Sequence, residues 1–506
     1  MEAKTYRPWQ TALALFALAL ALAVTIRFHR DLVNAPFPLD SHEPAQAILA
    51  QGVAQGVDFT AMGNLPRYSE VYGPLYPALA GALCAHGWAC DVRGQRALVA
   101  LLLGMVLVVL ALLSRRLGVP WLETACVVSW AYELLLINVT PIARPDALGL
   151  LLWISGLAVP FLLDYSLASL GAATVLFTLA AATKLYFLCG PGFLALALLA
   201  RRPRALPYFV ALQALLVGLA AAWLSQHRPF LFYGSILAQS IGGLTFSYAY
   251  MFWQIRQVCL LHSPGLLLLA YAALLGLFSR ERRQAGWEWA LYGGLGLGLF
   301  VAILGGSLGA RLTYLIQLAV VPFLPYGVAA SLRVFGRNFL LLGILVVSVV
   351  WAMGQTVHAG FEPAGRCRQD WDAANARVAA SRRPFVEGSL DMALQDRPEL
   401  IHETGMSRDL YQASLSPRWQ TSRYALSADI AKQWQAWYRQ GMERMLDPGT
   451  DLVVLSSYSP YYLPDALAKA GLRKQASIFL QFPQTAYPKR NLGVVFDVFS
   501  RPPGPR

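Results

Sequence analysis

Six charged side chains stand where an apolar segment of this 506-residue chain begins, ends or is interrupted. They are Asp40, Glu43, Arg144, Asp146, Lys184 and Arg311. A charge at the centre of a bilayer costs at least ~2.5 kcal/mol, so charged residues in membrane segments usually mark a pathway or a site. A carboxylate can take a proton from an attacking hydroxyl, and cations can neutralise phosphate oxygens. These residue types therefore predict chemistry on a phosphate-bearing lipid substrate.

Each of these residues also has a plainer explanation. Asp40 followed three positions later by Glu43 has the spacing of a helix capping box, with Asp in place of Ser or Thr. Arg144 and Asp146 would lie at the membrane interface, where a simple ion pair costs little. Long side chains such as Lys184 can bury an apolar stem and still place the charge in water. These residues therefore form a site only if the fold brings their side chains close together.

The composition identifies the elements that must position them. Hydrophobic residues make up 57% of the chain and charged residues 14%, whereas soluble proteins carry ~25% charged residues. Apolar runs of membrane-spanning length recur over residues 1–357, and residues 358–506 contain none. We predict a polytopic α-helical membrane protein with a small C-terminal extracytoplasmic α/β domain, divided at 357/358. About eleven spans of up to ~20 residues are predicted, at 9–26, 96–113, 119–140, 146–163, 166–182, 185–200, 205–224, 264–279, 287–304, 312–330 and 339–357.

The basic residues orient these spans. Twelve of the 22 Lys and Arg residues before His358 fall in short segments that would face the cytoplasm, as the positive-inside rule requires. The N-terminus is then inside and the C-terminus outside. This bias also accounts for the net charge of +13 without a nucleic-acid partner. With this topology the six charged residues lie on the same outer face of the membrane.

The first outer loop, residues 27–95, carries most of the remaining signals. A helix over 43–55 would present Ala45, Ile48, Leu49 and Val53 on one face, as a helix lying in the interface does. In the same loop, Arg67 and Tyr76 are further candidates for substrate contact, although a solvated arginine and an interfacial tyrosine explain them equally.

Two cysteines of this loop, Cys84 and Cys90, would lie outside. They either form a small disulfide in an oxidising compartment or remain as buried thiols. His42 lies between the two carboxylates and suggests a metal site, but the loop supplies too few further ligands, and no cofactor is expected.

The C-terminal segment mixes helical and strand patterns. Residues 428–445 have helical spacing, with Ile430, Trp434, Trp437 and Met445 as inward positions. Residues 451–456 and 491–500 are typical of buried strands, which predicts the small α/β domain.

The ordered set of motifs resembles the GT-C superfamily of integral-membrane glycosyltransferases, and within it the protein mannosyltransferase and aminoarabinose transferase branch. The matching elements are Asp40 with Glu43, YGPLYP at 72–77, ARPD at 143–146, TKLYF around Lys184, and the segment from Arg311 to Tyr314. The resemblance covers most of the membrane part and extends loosely to the C-terminal domain.

The resemblance implies transfer of a sugar from a polyprenyl-phosphate donor to an acceptor, outside the cytoplasm and with inversion. Asp40 would be the catalytic base, and Arg and Lys residues would hold the donor phosphate. The acidic pair is often adjacent in that family and is spaced Asp-x-x-Glu here, so either Asp40 or Glu43 can be the base. The expected partners are the donor and membrane lipid, and the expected location is a bacterial inner membrane.

Three other functions remain open at this point. A transporter or flippase of lipid-linked glycan predicts ionisable residues at mid-span and repeated halves, whereas this sequence places most of its charges at one interface and shows no repeat. A ligase of lipid-linked oligosaccharide predicts a differently placed large outer loop. A non-enzymatic assembly protein would use its C-terminal domain to bind a partner.

Overall fold

The computed structural model describes residues 6–40, 42–64, 67–237, 247–256, 265–266, 316–387, 393–394, 397–402, 427–456, 459, 461–481 and 493–501. Two predicted spans, 264–279 and 287–304, lie almost entirely outside these residues.

Within the described residues, apolar helices form the membrane part. They are α1 Pro8–Val33, α2 Glu43–Ala54, α3 Leu75–Ala85, α4 Val92–Arg116, α5 Trp121–Leu135, α6 Asp146–Leu162, α7 Leu167–Ala181, α8 Gly190–Arg201, α9 Leu206–His227, α10 Tyr248–Arg256, α11 Leu324–Phe335 and α12 Phe339–Ala380. Five helical stretches of the described chain are long and apolar enough to cross a membrane. The chain is a multi-pass membrane protein, and its total of eleven spans stays a prediction.

Two helices differ from the predicted spans for physical reasons. The apolar run at 339–357 belongs to α12, which continues without a break to Ala380. The predicted boundary at 357/358 therefore falls inside one helix. The apolar run ends there, whereas the helical hydrogen bonds continue to Ala380. In the first outer loop, α3 has only 11 residues, too short for an apolar run to be recognised as a span.

The first outer loop is packed inside the protein. The predicted helix at 43–55 is confirmed as α2, but it does not lie at an interface, since Glu43, Gln46 and Ala50 on its other faces are buried as well. The capping box does not form: His42 is the N-cap residue, and the Asp40 carboxylate accepts from the His42 amide, 3.0 Å away.

The C-terminal segment folds as the predicted α/β unit, named here the cap domain. Its elements are β1 Pro384–Val386, α13 Ser427–Leu446, β2 Leu452–Ser456, α14 Pro464–Lys469, β3 Arg473–Gln481 and β4 Gly493–Ser500. The strand order is β1-β2-β4-β3, with β1 and β2 parallel and the other pairs antiparallel. Trp437 and Met445 of α13 are buried as predicted, whereas the side chains of Ile430 and Trp434 lie outside the described set.

The cap domain shares its core with the first outer loop. Val71 of the loop packs in one apolar cluster with Phe385, Trp437 and Tyr461 of the cap domain. A second cluster joins Phe28, Phe37 and Ile142 to Trp371 of α12 and Phe496 of β4. Apolar burial therefore fixes the cap domain above the loop, at about 25 cal/mol for each Å² removed from water.

A disulfide joins Cys84 and Cys90 at the end of α3. The alternative of two buried thiols is therefore wrong for this pair. A disulfide in this loop agrees with its predicted exposure to an oxidising compartment.

Candidate active site

Four of the charged residues singled out from the sequence form one continuous chain of ion pairs. Arg144 Nη1 lies 3.3 Å from Asp40 Oδ2, and Arg144 Nε lies 3.3 Å from Asp146 Oδ2. Lys184 Nζ donates to both carboxylate oxygens of Asp146, at 2.9 and 2.7 Å. All four side chains are at most 4% exposed. We name this set the buried charge chain.

The backbone explains why these residues meet. Asp146 is the first residue of α6 and Arg144 stands in the turn before it, so both carry their charge at the mouth of an apolar helix. A negative charge at a helix N-terminus is favoured by the helix dipole. Lys184 precedes the 3-10 turn Leu185–Cys189, which follows α7. The sequence places these charges at helix ends, and helix packing brings the ends together.

The first outer loop is hydrogen-bonded directly to the segment that carries Lys184. The amide of Gly73 donates to the Thr183 carbonyl at 2.9 Å, and the amide of Leu75 donates to the Ala182 carbonyl at 3.1 Å. This places Tyr72 within the buried charge chain. Its hydroxyl accepts from Arg144 Nη2 at 2.7 Å, and its ring centroid lies 4.1 Å from Lys184 Nζ.

Gly73 allows the first outer loop to approach the backbone of Ala182 and Thr183 closely. A Cβ at position 73 would overlap the Ala182 carbonyl oxygen, so Gly73→Ala must push the loop away from Lys184. We expect kcat for the reaction proposed below to fall about 100-fold, the scale of a ~1 Å misplacement. Gly63→Ala is the matched control, because a Cβ there meets nothing within 4 Å. Equal rates for both variants would show that this contact does not position the site.

Glu43 has a different environment from Asp40. Arg96 donates to both of its oxygens, from Nε at 2.9 Å and from Nη2 at 2.6 Å. The amides of Leu39 and Ala143 donate to the same carboxylate at 2.6 and 2.8 Å. Glu43 and Arg96 are completely buried. Glu43 thus ties the turn before α2 to α4 and to the residue next to Arg144.

Arg96 completes this connection. It donates to the backbone carbonyls of Leu32, Ala35 and Phe37 at 2.8–3.2 Å. Sequence analysis did not select Arg96, although an arginine at the start of an apolar run is the same signal that Arg144 gives.

Glu70 is a second carboxylate near the buried charge chain that sequence analysis missed. It is 2% exposed and accepts from the amides of Val71 and Tyr72 at 2.8 and 2.7 Å. Gln46 of α2 donates to it at 3.0 Å. Burial raises its pKa to about 7, against the lowering effect of these hydrogen bonds and of Lys184. In the sequence Glu70 stands two residues before the YGPLYP motif, but an acid in a loop ordinarily indicates solvent exposure.

The raised pKa of Glu70 predicts a pH dependence of stability. A carboxyl with a folded pKa of about 7 and an ordinary value of 4.5 stabilises the fold fully below 4.5. That contribution is lost as the pH rises through about 7, by up to about 3 kcal/mol. We expect the Tm of wild type in detergent to fall relative to that of Glu70→Gln over this range, because the neutral glutamine mimics the protonated carboxyl and cannot ionise. A difference that is constant with pH would contradict the raised pKa.

Two uncharged residues extend the site and were also missed. The Tyr186 hydroxyl lies 3.0 Å from Asp146 Oδ1 and 2.9 Å from Gln317 Oε1. Gln317, in the helical turn Ile316–Val320, donates to Asp146 at 3.3 Å. Single uncharged polar residues within predicted spans give no distinct sequence signal, so only the fold reveals these two.

The remaining sequence candidates are Tyr76, Arg67 and Arg311. Tyr76 is fully buried and its hydroxyl lies 3.3 Å from Gln95 Oε1, and burial, followed by the nearby charges of Glu43, Asp146 and Glu70, raises its pKa. Arg67 lies towards the cap domain, with its guanidinium 5.5 Å from the Tyr68 ring centroid. Arg311 lies outside the described residues.

His42 is the residue that suggested a metal site. Its Nδ1 lies 3.8 Å from Asp40 Oδ1. Over the part of the chain that the structure describes, no group of three or more His, Cys, Asp and Glu side chains is placed to hold a metal ion.

Comparison with solved structures identifies the fold. ArnT from Cupriavidus metallidurans bound to undecaprenyl phosphate superposes with a TM-score of 0.57 and 15% identity, over 96% of this chain and 98% of that chain. Its apo state gives a TM-score of 0.56 and 16% identity over the same shares. The apo oligosaccharyltransferase of Archaeoglobus fulgidus gives 0.46 and 11%, over 88% of this chain and 69% of that one.

No protein-family model and no curated protein matches this sequence. The structural match nevertheless covers 96% of this chain. The chain therefore has an ArnT-like fold, and the resemblance to aminoarabinose transferases drawn from the motifs is confirmed for the fold.

Proposed function

We propose that this protein is a glycosyltransferase that moves a sugar from a polyprenyl-phosphate donor to an acceptor on the outer side of the membrane. The observation that carries the proposal is the buried charge chain, which pairs two carboxylates with two cations beneath the cap domain. The ArnT structure of the same fold holds undecaprenyl phosphate, a lipid of the same chemical class.

The proposed reaction gives each member of the chain a role. Asp40 takes the proton of the acceptor hydroxyl while that oxygen bonds to the anomeric carbon. The bond from this carbon to the phosphate oxygen breaks, and its electron pair leaves with polyprenyl phosphate. Attack and departure on opposite faces give inversion.

Arg144 and Lys184 stabilise the phosphate that leaves. Fixed cations in a site that excludes water are worth more than the same charges in solvent, since they need no reorganisation during the reaction. Asp146 holds Lys184 in place and is itself held by Tyr186 and Gln317, and the Tyr72 hydroxyl holds Arg144. These two cations supply the positive charge that a divalent metal would otherwise provide, so we propose that catalysis is metal-independent.

The proposed location follows from the charge distribution. Basic segments between the predicted spans place the first outer loop and the cap domain outside, and we propose a bacterial inner membrane.

A labelled polyprenyl-phosphate sugar tests the proposal with purified full-length protein and a lipid, glycan or protein acceptor pool. We expect the label to move to an acceptor with release of polyprenyl phosphate, and EDTA to leave the rate unchanged. Movement of the intact sugar-lipid across a vesicle bilayer without cleavage would instead support a flippase.

A further inference from the structure

A group of basic side chains lies between the first outer loop and the cap domain and takes no part in the buried charge chain. Arg67 comes from the loop, and His402 and Arg444 come from the cap domain. Arg444 lies on α13, which packs against the loop turn Met62–Asn64. The inner face of the same helix packs on Val71 through Trp437 and Met445. The contact between the first outer loop and the cap domain, named here the seam, therefore includes the loop segment that carries Glu70 and Tyr72.

The hydrogen bond between Arg444 and His402 fixes the proton on the imidazole. Arg444 Nη1 lies 3.4 Å from His402 Nδ1, and because a guanidinium can only donate, Nδ1 must accept. The ring is then neutral with its proton on Nε2. Burial, and then the charge of Arg444, lower the pKa of His402 to about 4, which agrees with a neutral ring.

Two buried N–H groups at this seam have no acceptor. His402 is 7% exposed, and neither its Nε2 nor the Nε of Arg67 has a hydrogen-bond partner. Leaving a buried donor unsatisfied costs about 1–3 kcal/mol. Such groups in a folded protein call for an explanation, and a bound ion is one.

The described residues at the seam also carry more positive than negative charge. Partial burial, and then the charges of Arg67 and Arg383, lower the pKa of Arg444. Arg383 is paired with a carboxylate, since its Nη1 lies 3.7 Å from Asp447 Oδ1. Within the described part of the chain, no carboxylate pairs with Arg67 or Arg444.

We propose that Arg67, His402 and Arg444 form a second anion site, which binds a phosphate or carboxylate group carried by the acceptor. The inference rests on the proposed function and gives the acceptor a chemical class. Arginine suits such a group because its planar fork can donate two parallel hydrogen bonds to it. The site joins a loop residue to two cap-domain residues, so an anionic acceptor would bind only where the two parts meet.

Inorganic phosphate is the first probe, titrated into full-length protein in detergent while Tm is measured. We expect phosphate to raise the Tm of wild type, and to bind at least about tenfold more weakly to Arg67→Gln and Arg444→Gln, as for a lost hydrogen bond to a charged group. Arg439→Gln is the matched control, because it removes an exposed arginine from the same helix. A response that is the same in all four proteins would overturn the proposal, since phosphate would then bind elsewhere.

The transfer assay supplies the second readout. Arg67→Gln and Arg444→Gln should raise the KM for the acceptor and leave the KM for the donor unchanged. An unchanged acceptor KM, or a rise in both KM values, would contradict an acceptor site. If wild type transfers no sugar at all, the proposed function fails, and the phosphate titration still decides whether the anion site exists.

Discussion

We expect Asp40→Asn to lower kcat for sugar transfer about 10²- to 10⁴-fold, the contribution of a general base. The amide keeps the size of the carboxylate and one acceptor oxygen, which can accept from the His42 amide or from Arg144 but not from both, and it cannot take a proton. Folding should be preserved. Binding of polyprenyl phosphate should be preserved as well, because Arg144 and Lys184 remain.

The matched control for this substitution is Asp31→Asn, which changes an exposed acid close to the same loop. We expect this control to retain the wild-type rate. Turnover of Asp40→Asn at the rate of the control would remove Asp40 from the role of base. A complete loss of polyprenyl-phosphate binding would show instead that Asp40 has a structural role.

The second large effect concerns stability and decides the role of Glu43. Replacing Arg96 by Met leaves the Glu43 carboxylate buried with only two backbone donors. Breaking a buried pair from one side costs about 3–5 kcal/mol, whereas replacing both partners by apolar residues is often neutral. We therefore expect Arg96→Met to lower Tm sharply and the double variant Glu43→Met with Arg96→Met to recover part of the loss, since the buried charge is gone while the backbone groups that the pair satisfied still lack partners.

Activity of that double variant distinguishes the two candidate bases. If Glu43 only positions the turn before α2, the recovered protein should transfer sugar at a measurable rate. A folded double variant without any transfer, together with an active Asp40→Asn, would assign the base to Glu43.

Some sequence signals identified residues of the candidate site, and others did not. Arg144, Asp146 and Lys184 could be selected because each stands at the end of an apolar run or inside one, and Asp40 because it belongs to the acidic motif of the first outer loop. A fold with helix ends on one face brings the four into contact. Their contact follows from the structure, and their roles stay predictions. Glu70 escaped selection because an acid in a loop is typical of a solvated position, and Gln317 because a single amide within a predicted span gives no distinct signal.

For the fold, too, some features could be predicted from the sequence and others could not. Apolar runs predicted most helix positions, since hydrophobic length is a strong signal in membrane segments. They did not predict that α12 continues into the cap domain, or that α2 would be buried on all sides. Both depend on the cap domain packing over the first loop, and a single sequence does not reveal which residues cover a helix.

The central claim is that the buried charge chain holds the donor phosphate. A cryo-EM structure of the full-length protein with a polyprenyl phosphate tests it most directly. The phosphate should lie within hydrogen-bond distance of Lys184 and Arg144 and beside Asp40, and it should be missing from a Lys184→Gln sample. A phosphate bound away from these side chains, or unaffected by Lys184→Gln, would contradict the claim.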